Sequence, residues 1–287
     1  MKLRPTATLF EIVLFLHFFL VLQRAAARVI PNTGNNGKQS RVPVLPGLHD
    51  LNLDRSQEDK YFHEPTGHEE GADDRLGHYD SRFFRGMVTD AERVDTLTHM
   101  VRSYLQFADA HGLETWIAHG TLLGWWWNGK LLPWDWDIDV QVLDTTLARM
   151  GREFNQTLAR FTDDRNNTRE YLLDVNPWAY FRDRGPGHNI IDARWIDTRN
   201  GLYIDITGLS VLQPDKAPDV WECKNRHKYR TEDLYPMRRS TFEGISALIP
   251  YNYQDILTEE YGNKALSKTA FLAHTWEPSK GLWVPDY

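Results

Sequence analysis

The feature that most constrains this chain is a run in which aspartates alternate with large apolar residues. It reads Pro133-Trp134-Asp135-Trp136-Asp137-Ile138-Asp139-Val140. Because residues two apart on a strand point to the same face, the pattern predicts a half-buried strand from Trp136 to Val142 with its aspartates in one row. A solvated acidic strand face could also produce a pair of aspartates. Aligned carboxylates repel one another, however, and such a row normally persists where a divalent cation lies between the oxygens.

A glycine-containing motif, Ala118-His119-Gly120-Thr121-Leu122-Leu123-Gly124, precedes the acidic run. We expect a short strand over Trp116–Ala118 and a helix from Thr121 to about Asn128. The free N–H groups and dipole of a helix N terminus favour an anion, and a glycine lets a phosphate come close to the backbone. Cation ligands beside a phosphate cradle indicate phosphoryl or nucleotidyl transfer.

A third carboxylate stands inside a later apolar strand. Two strand-like runs between Asn189 and Thr207 are joined through Asn200-Gly201, a dipeptide that favours a tight hairpin turn. Asp205 lies between two isoleucines of the second run, where a carboxylate is costly to bury unless it is paired or binds a metal. We therefore predict that Asp137, Asp139 and Asp205 are the catalytic residues and the ligands of Mg²⁺ or Mn²⁺.

Helical signals frame these motifs. Thr89 and Glu92 have the spacing of a capping box, and apolar residues at helical intervals lead to a predicted end at His111-Gly112. Asp144 is predicted to cap a second helix that extends to Leu158, and a last helix is predicted near Asn252–Tyr261. Three consecutive tryptophans at 125–127 either pack the helix that begins at Thr121, in the core or over the site, or stack on a sugar or base.

The ends of the chain and its charge limit the function further. The sequence has 287 residues and a formal net charge of −7, which argues against a nucleic-acid partner. A basic start, a short apolar core and an Ala-x-Ala site predict a signal peptide or signal anchor over residues 1–27. We expect a stem over residues 28–82 and one domain over residues 83–287. Sequons at Asn155 and Asn166 agree with a location in the lumen of the secretory pathway, the Golgi or endoplasmic reticulum.

From about Phe83 to Gly262 the sequence resembles the LicD family, which includes bacterial phosphocholine transferases, fukutin-related proteins and fungal mannosylphosphorylation proteins. The resemblance is carried by the motif that begins at His119, by the acidic run and by Ile204-Asp205-Ile206. The segment from Asp192 to Asp197 and the basic segment from His227 to Arg239 look most like the fungal members. Trp127 and Trp136 depart from the bacterial pattern, which argues against phosphocholine as the transferred group.

The resemblance implies an α+β, nucleotidyltransferase-like mixed sheet flanked by helices, and transfer of a phosphate-bearing group from a nucleotide-activated donor to a glycan. It also implies a set of donor-binding residues, namely His119, Gly120, Thr121, Gly124, Arg194, His227 and Arg238. The cations between 224 and 239 either meet a diphosphate or balance an acidic surface. We expect mannose phosphate transfer from a nucleotide sugar. The alternatives are an ordinary Asp-x-Asp glycosyltransferase and a helper subunit that binds glycan beside a partner transferase.

Overall fold

A computed structural model describes residues 54–65 and 73–286 of this chain. The predicted signal peptide or membrane anchor, and most of the predicted stem, lie outside the described residues. Within those residues, no helix combines the length and the apolar character that crossing a membrane requires.

The described chain alternates helices with short strands. The α-helices α1 to α5 cover Asp90–Ala110, His119–Asn128, Asp144–Arg149, Thr231–Leu234 and Tyr253–Tyr261. The strands of the largest sheet, β1 to β6, cover Trp116–Ile117, Asp139–Leu143, Thr157–Thr162, Thr168–Val175, Ala193–Asp197 and Tyr203–Leu209. The remaining strands, β7 to β13, cover Val220–Glu222, Lys228–Arg230, Arg238–Phe242, Ile245–Ile249, Ala270–Phe271, His274–Glu277 and Leu282–Pro285. Short 3₁₀ turns and a π-helical turn at Met150–Phe154 connect some of these elements.

The main sheet has six strands in the order β1-β2-β6-β5-β4-β3. Strands β2 and β6 run parallel, and every other neighbouring pair in this sheet is antiparallel. Helix α1 contacts β5 and β6, whereas α3 contacts β2 and β6. The expected α+β class with a mixed sheet is therefore confirmed.

The first helix forms as its capping signals predict. The Thr89 side chain accepts a hydrogen bond from the Glu92 amide, which satisfies a free donor of the first turn. The helix then ends before Gly112, which adopts a φ of 59°. The hairpin prediction is also confirmed, since β5 and β6 pair antiparallel and Gly201 takes a φ of 88° in their turn.

A large aromatic and aliphatic core holds these elements together. Trp116, Tyr104, Tyr171 and Trp195 have no measurable exposure, and the Trp195 ring stacks on Tyr171 with 5.7 Å between centroids. Burial of such rings contributes a few kcal/mol each. The sequence has a single cysteine, so packing replaces intrachain disulfides as the source of stability.

Two predicted boundaries are wrong. The acidic strand begins at Asp139, not at Trp136, because pairing with β6 starts at Asp139 and Asp205. The helix that begins at Asp144, α3, ends in the π-helical turn, and Leu158 lies in β3 instead. The helical spacing of Leu158 is misleading, because antiparallel pairing with β4 decides the conformation of that segment.

The tryptophan run at 125–127 is packed against other parts of the chain. The Trp125 indole donates to the Ser240 hydroxyl at 2.7 Å, and its ring lies 4.9 Å from that of Tyr253. The Trp127 ring lies 4.7 Å from that of Trp283 in the C-terminal strands. Packing, the first of the two predicted roles, accounts for both rings.

Candidate active site

The site is built around two aspartates on the only parallel pair of strands in the main sheet. Asp139 of β2 and Asp205 of β6 are register partners. In-register residues of neighbouring strands point to the same face, and the strands lie about 4.8 Å apart. The backbone fixes this juxtaposition, because the Asp205 amide donates to the Ile138 carbonyl at 3.0 Å. The two carboxylates predicted from separate motifs therefore meet on one face of the sheet.

The start of helix α2 is tied to the same point. The Asp139 amide donates to the Thr121 hydroxyl at 2.9 Å, and the Ala118 amide donates to the Asp139 carbonyl at 3.1 Å. Thr121 is buried, so its side chain serves as a structural link between the helix and the acidic strand. The amides of the first turn of α2 thus lie beside Asp139.

A row of charged residues crosses four strands on this face. From Asp205, the next register partner is Arg194 of β5, followed by Asp174 of β4. The Arg194 guanidinium is 3% exposed and donates to Asp205 Oδ1 at 2.9 Å and to Glu64 Oε1 at 2.8 Å. It also lies 3.6 Å from the centroid of the Tyr203 ring. Arg194 therefore orients Asp205 and Glu64, while its Nη1 atom is buried without a hydrogen-bond partner among the described residues.

The chain segment before the predicted domain boundary covers this row. Phe62 is 4% exposed, and the Arg194 guanidinium lies 4.6 Å from its ring centroid. The Tyr61 hydroxyl donates to Asp174 Oδ1 at 2.9 Å, and Arg82 Nη1 donates to Asp174 Oδ2 at 2.6 Å. Tyr61 and Phe62 thus pack on the domain and close one end of the charged row.

Burial and mutual repulsion perturb the carboxylates. Burial raises the pKa of Asp139 well above its usual range, and the charge of Asp137 adds to this effect while His119 opposes it. Burial likewise raises the pKa of Asp205, although the guanidinium of Arg194 opposes the shift. A bound cation stabilises the ionised form of carboxylates whose pKa is raised in this way.

Asp135 is a further carboxylate at this place. Its Oδ2 atom is buried and has no hydrogen-bond partner among the described residues. Burial and the charge of Asp137 raise the pKa of Asp135 to about 7, against the effect of Arg93. An ideal Cβ placed on Gly120 would lie 3.3 Å from the same Oδ2 atom. The absence of a side chain at Gly120 therefore makes room for this carboxylate at the start of α2.

Asp137 occupies the segment just before β2. Its side chain is 47% exposed, and Oδ2 lies 3.9 Å from Nδ1 of His78. Its charge contributes to the raised pKa of Asp135, Asp139 and Asp205. The charges of the three predicted ligands therefore interact, with Asp137 as the member that faces solvent, but their carboxylate oxygens do not all lie within 4.8 Å of one another.

Two of the predicted donor-binding residues, His119 and His227, lie together. Nδ1 of His119 lies 2.7 Å from Oε1 of Glu260 in α5, and the two imidazole rings are 4.3 Å apart. Burial would lower the pKa of His119, but the hydrogen bond and charge of Glu260 raise it. The same contact lowers the pKa of Glu260, although burial opposes this. The two side chains therefore form a hydrogen bond in a partly buried setting.

The other predicted donor-binding residues lie elsewhere. An ideal Cβ on Gly124 would lie 2.4 Å from the Lys130 carbonyl oxygen, so close packing of α2 explains this glycine. The Arg238 guanidinium lies 4.3 Å from the centroid of the Tyr251 ring. No described contact joins Arg238 to the aspartates.

Three of the cations between 224 and 239 have acidic partners, in agreement with the second of the two predicted roles. Lys224 is buried and its ammonium lies 3.0 Å from Asp192 Oδ1, while Lys228 pairs with Glu222 and Arg230 with Asp219. These cations balance acidic groups of the fold.

Sequence reasoning missed Glu260 and Glu64 as neighbours of the site. Glu260 lies in the last predicted helix, and nothing local marks it as a partner of His119. Glu64 lies in a polar stretch without apolar periodicity, and nothing local marks it as a partner of Arg194.

Comparison with known proteins gives one matching family model. Residues 112–252 match the model described as "LicD/FKTN/FKRP, nucleotidyltransferase domain". This range contains the motif at 118–124, the acidic run and Asp205, whereas Glu64 and Glu260 lie outside it.

Three relatives illustrate the similarity. Mannosyltransferase regulator 4 of Saccharomyces cerevisiae is 41% identical over 136 residues, which are 46% of this chain and 12% of that protein. Mannosyltransferase regulator 14 of the same yeast is 34% identical over 226 residues, which are 76% of this chain and 23% of that protein. The mouse ribitol 5-phosphate transferase FKRP is 23% identical over 181 residues, which are 62% of this chain and 34% of that protein. The chain thus spans less than a quarter of the length of either yeast relative.

Proposed function

The chain carries a LicD-family nucleotidyltransferase domain, and from this premise we propose that it transfers a phosphosugar from a nucleotide sugar to a glycan, with a divalent metal. The transferred group in this proposal is mannose phosphate. Two of the relatives are named mannosyltransferase regulators and another a ribitol 5-phosphate transferase. Transfer of mannose phosphate would account for the mannose in the first two names and for the phosphate in the third. The predicted leader and the sequons support the secretory lumen as the location.

The observation that carries the proposal is the register of Asp139 and Asp205 beside the start of α2. Carboxylates brought together on one face of a sheet fit a hard divalent cation. The unpartnered Oδ2 atom of Asp135 fits the same need, because a buried carboxylate oxygen normally has a partner. Asp137, Asp139 and Asp205 would hold Mg²⁺ or Mn²⁺, with Asp135 next to them. When bound, such an ion neutralises phosphate charge and polarises the phosphoryl group.

The residues of the chain supply positioning and charge. The first-turn amides of α2 favour an anionic donor, and Gly120 leaves the backbone open to it. Arg194 holds one oxygen of Asp205 and leaves the other for a ligand or for the acceptor hydroxyl. In the transfer, the acceptor oxygen bonds to the sugar-linked phosphorus, the bond to the bridging oxygen breaks, and a nucleoside monophosphate leaves. Asp205 is the residue we assign to receive the hydroxyl proton.

The test is a transfer assay with Mn²⁺, a panel of nucleotide sugars and a mannose-containing glycan. We expect a phosphodiester signal in the phosphorus NMR spectrum of the product, and release of a nucleoside monophosphate. An ordinary glycosyltransferase would release a nucleoside diphosphate and give no diester signal. The absence of any diester product, while a known transferase makes one in parallel, would refute the proposal.

A second candidate is a helper subunit without catalysis, which the regulator names of two relatives favour. Replacing Asp137 and Asp139 with Asn separates the two functions. Loss of mannose phosphate on cellular glycans, with normal folding and secretion, supports catalysis, whereas retained transfer supports the helper. Asp215→Asn is a matched control, because Asp215 is an exposed aspartate away from the site.

A further inference from the structure

We propose that His119, His227 and Glu260 form a second metal site, suited to Zn²⁺ or a similar transition-metal ion. The three residues come from the start of α2, the loop before β8 and helix α5. One ligand atom from each lies within 4.8 Å of the others. No local sequence pattern joins these residues, and the fold alone brings them together. The proposal does not depend on the transfer reaction proposed above.

The spacing fits a tetrahedral ion after a small adjustment. With metal–ligand bonds of about 2.0–2.1 Å, neighbouring ligand atoms lie roughly 3.3 Å apart. Nδ1 of His119 and Oε1 of Glu260 are 2.7 Å apart and share a proton. An ion would replace that proton as the carboxylate moves outward by a fraction of an ångström.

Surrounding groups orient the two imidazoles. Nδ1 of His227 lies 3.4 Å from the Cys223 sulfur, which leaves Nε2 of His227 as the metal ligand. Nε2 of His119 lies 3.4 Å from the amide nitrogen of Gln141. An outer contact such as that of Cys223 with His227 holds a ligating histidine of a metal site in place. His119 also has a φ of 51°, a left-handed conformation that persists in a non-glycine residue where the surroundings impose it.

The ligand types separate this site from the aspartate cluster. Two imidazoles and one carboxylate favour Zn²⁺ or Co²⁺, whereas carboxylates alone favour Mg²⁺ or Mn²⁺. Three protein ligands leave a fourth position open, as in catalytic zinc sites. The side chains of His119 and Glu260 are 11% and 21% exposed, so the ligands are partly buried and still reachable from solvent.

The test is metal binding by the full chain, with Co²⁺ as the spectroscopic probe and Zn²⁺ as its competitor. We expect one equivalent of Co²⁺ to give visible absorption bands of a four- or five-coordinate ion, and Zn²⁺ to abolish them. His227→Gln and Glu260→Gln should each weaken binding by more than about 100-fold, since loss of a ligand exceeds the 10–100-fold cost of an outer-shell change. X-ray absorption of the wild-type zinc form should show imidazole scattering, which needs no variant to fold.

Controls separate this site from the proposed active site. His274→Gln removes a histidine of the C-terminal strands and should leave the cobalt spectrum unchanged. Asp137→Asn with Asp139→Asn should abolish Mn²⁺ binding and transfer but keep the cobalt bands. The proposal is overturned if wild-type protein shows no such bands or imidazole scattering. It is equally overturned if the bands survive in the His227 and Glu260 variants and vanish in the aspartate variant.

Discussion

Replacing Arg194 with Met should be strongly destabilising, because this residue is the positive centre of a buried charge row. Its side chain is 3% exposed and bonds Asp205 and Glu64, whose side chains are each 18% exposed. Methionine keeps much of the packing against the Tyr203 ring but removes the charge. The two carboxylates are then left without their shared partner.

The expected loss in the free energy of unfolding is about 3–5 kcal/mol, the usual cost of breaking a buried ion pair from one side. That is a large share of the roughly 5–15 kcal/mol that stabilises a typical domain. The control is Arg160→Met, because Arg160 pairs with Glu170 at 2.7 Å but is 56% exposed. A surface pair of this kind contributes less than about 1 kcal/mol.

The assay is chemical denaturation at neutral pH, followed by tryptophan fluorescence. The double variant Arg194→Met with Asp205→Asn should recover about 1–3 kcal/mol relative to the sum of the single variants, since contacting charges couple. The reasoning is refuted if Arg194→Met costs no more than the Arg160 control. It is also refuted if the effects of Arg194 and Asp205 are simply additive.

Three further predictions concern the glycine cradle and the loop between β3 and β4. Gly120→Ala should weaken Mn²⁺ binding about 10-fold, because its methyl group would lie 3.3 Å from a buried carboxylate oxygen. The control is Gly77→Ala, which has open space around it. Equal Mn²⁺ affinities of the two variants in a titration would contradict the prediction. Burial would raise the pKa of Asp163, but hydrogen bonds from its loop lower it below the usual 3.8. Wild type should therefore be more stable than Asp163→Asn above pH 3.8 and lose that advantage as the pH falls below it, in denaturation measured across this range; a pH-independent difference would count against this. Asn166 lies exposed in the same loop, whereas the Asn155 side chain accepts a hydrogen bond from the Val175 amide. We therefore expect a glycan on Asn166, so that Asn166→Gln lowers the mass of protein expressed through the secretory pathway by one glycan. An unchanged mass would contradict this.

Short-range chemistry made much of the fold predictable. The Thr89 cap, the left-handed Gly112 and the Asn200-Gly201 turn each express preferences that act within a few residues, and the structure keeps all three. The isolated aspartate of β6 was equally informative, because burial of a lone carboxylate implies a partner wherever the strand ends up. The choice of Asp205 as a candidate ligand followed from such a local cost, whereas the fold class followed from the family resemblance.

Only the tertiary structure decided which groups meet. The parallel pairing of β2 with β6 sets Asp139 beside Asp205, and no pattern within either strand specifies that register. Arg194 meets Glu64 across 130 residues, a contact that no local pattern specifies. Glu260 likewise meets His119 across 141 residues. A sequence records what each side chain needs, such as a counter-ion or a cation, while long-range packing selects the residue that meets the need.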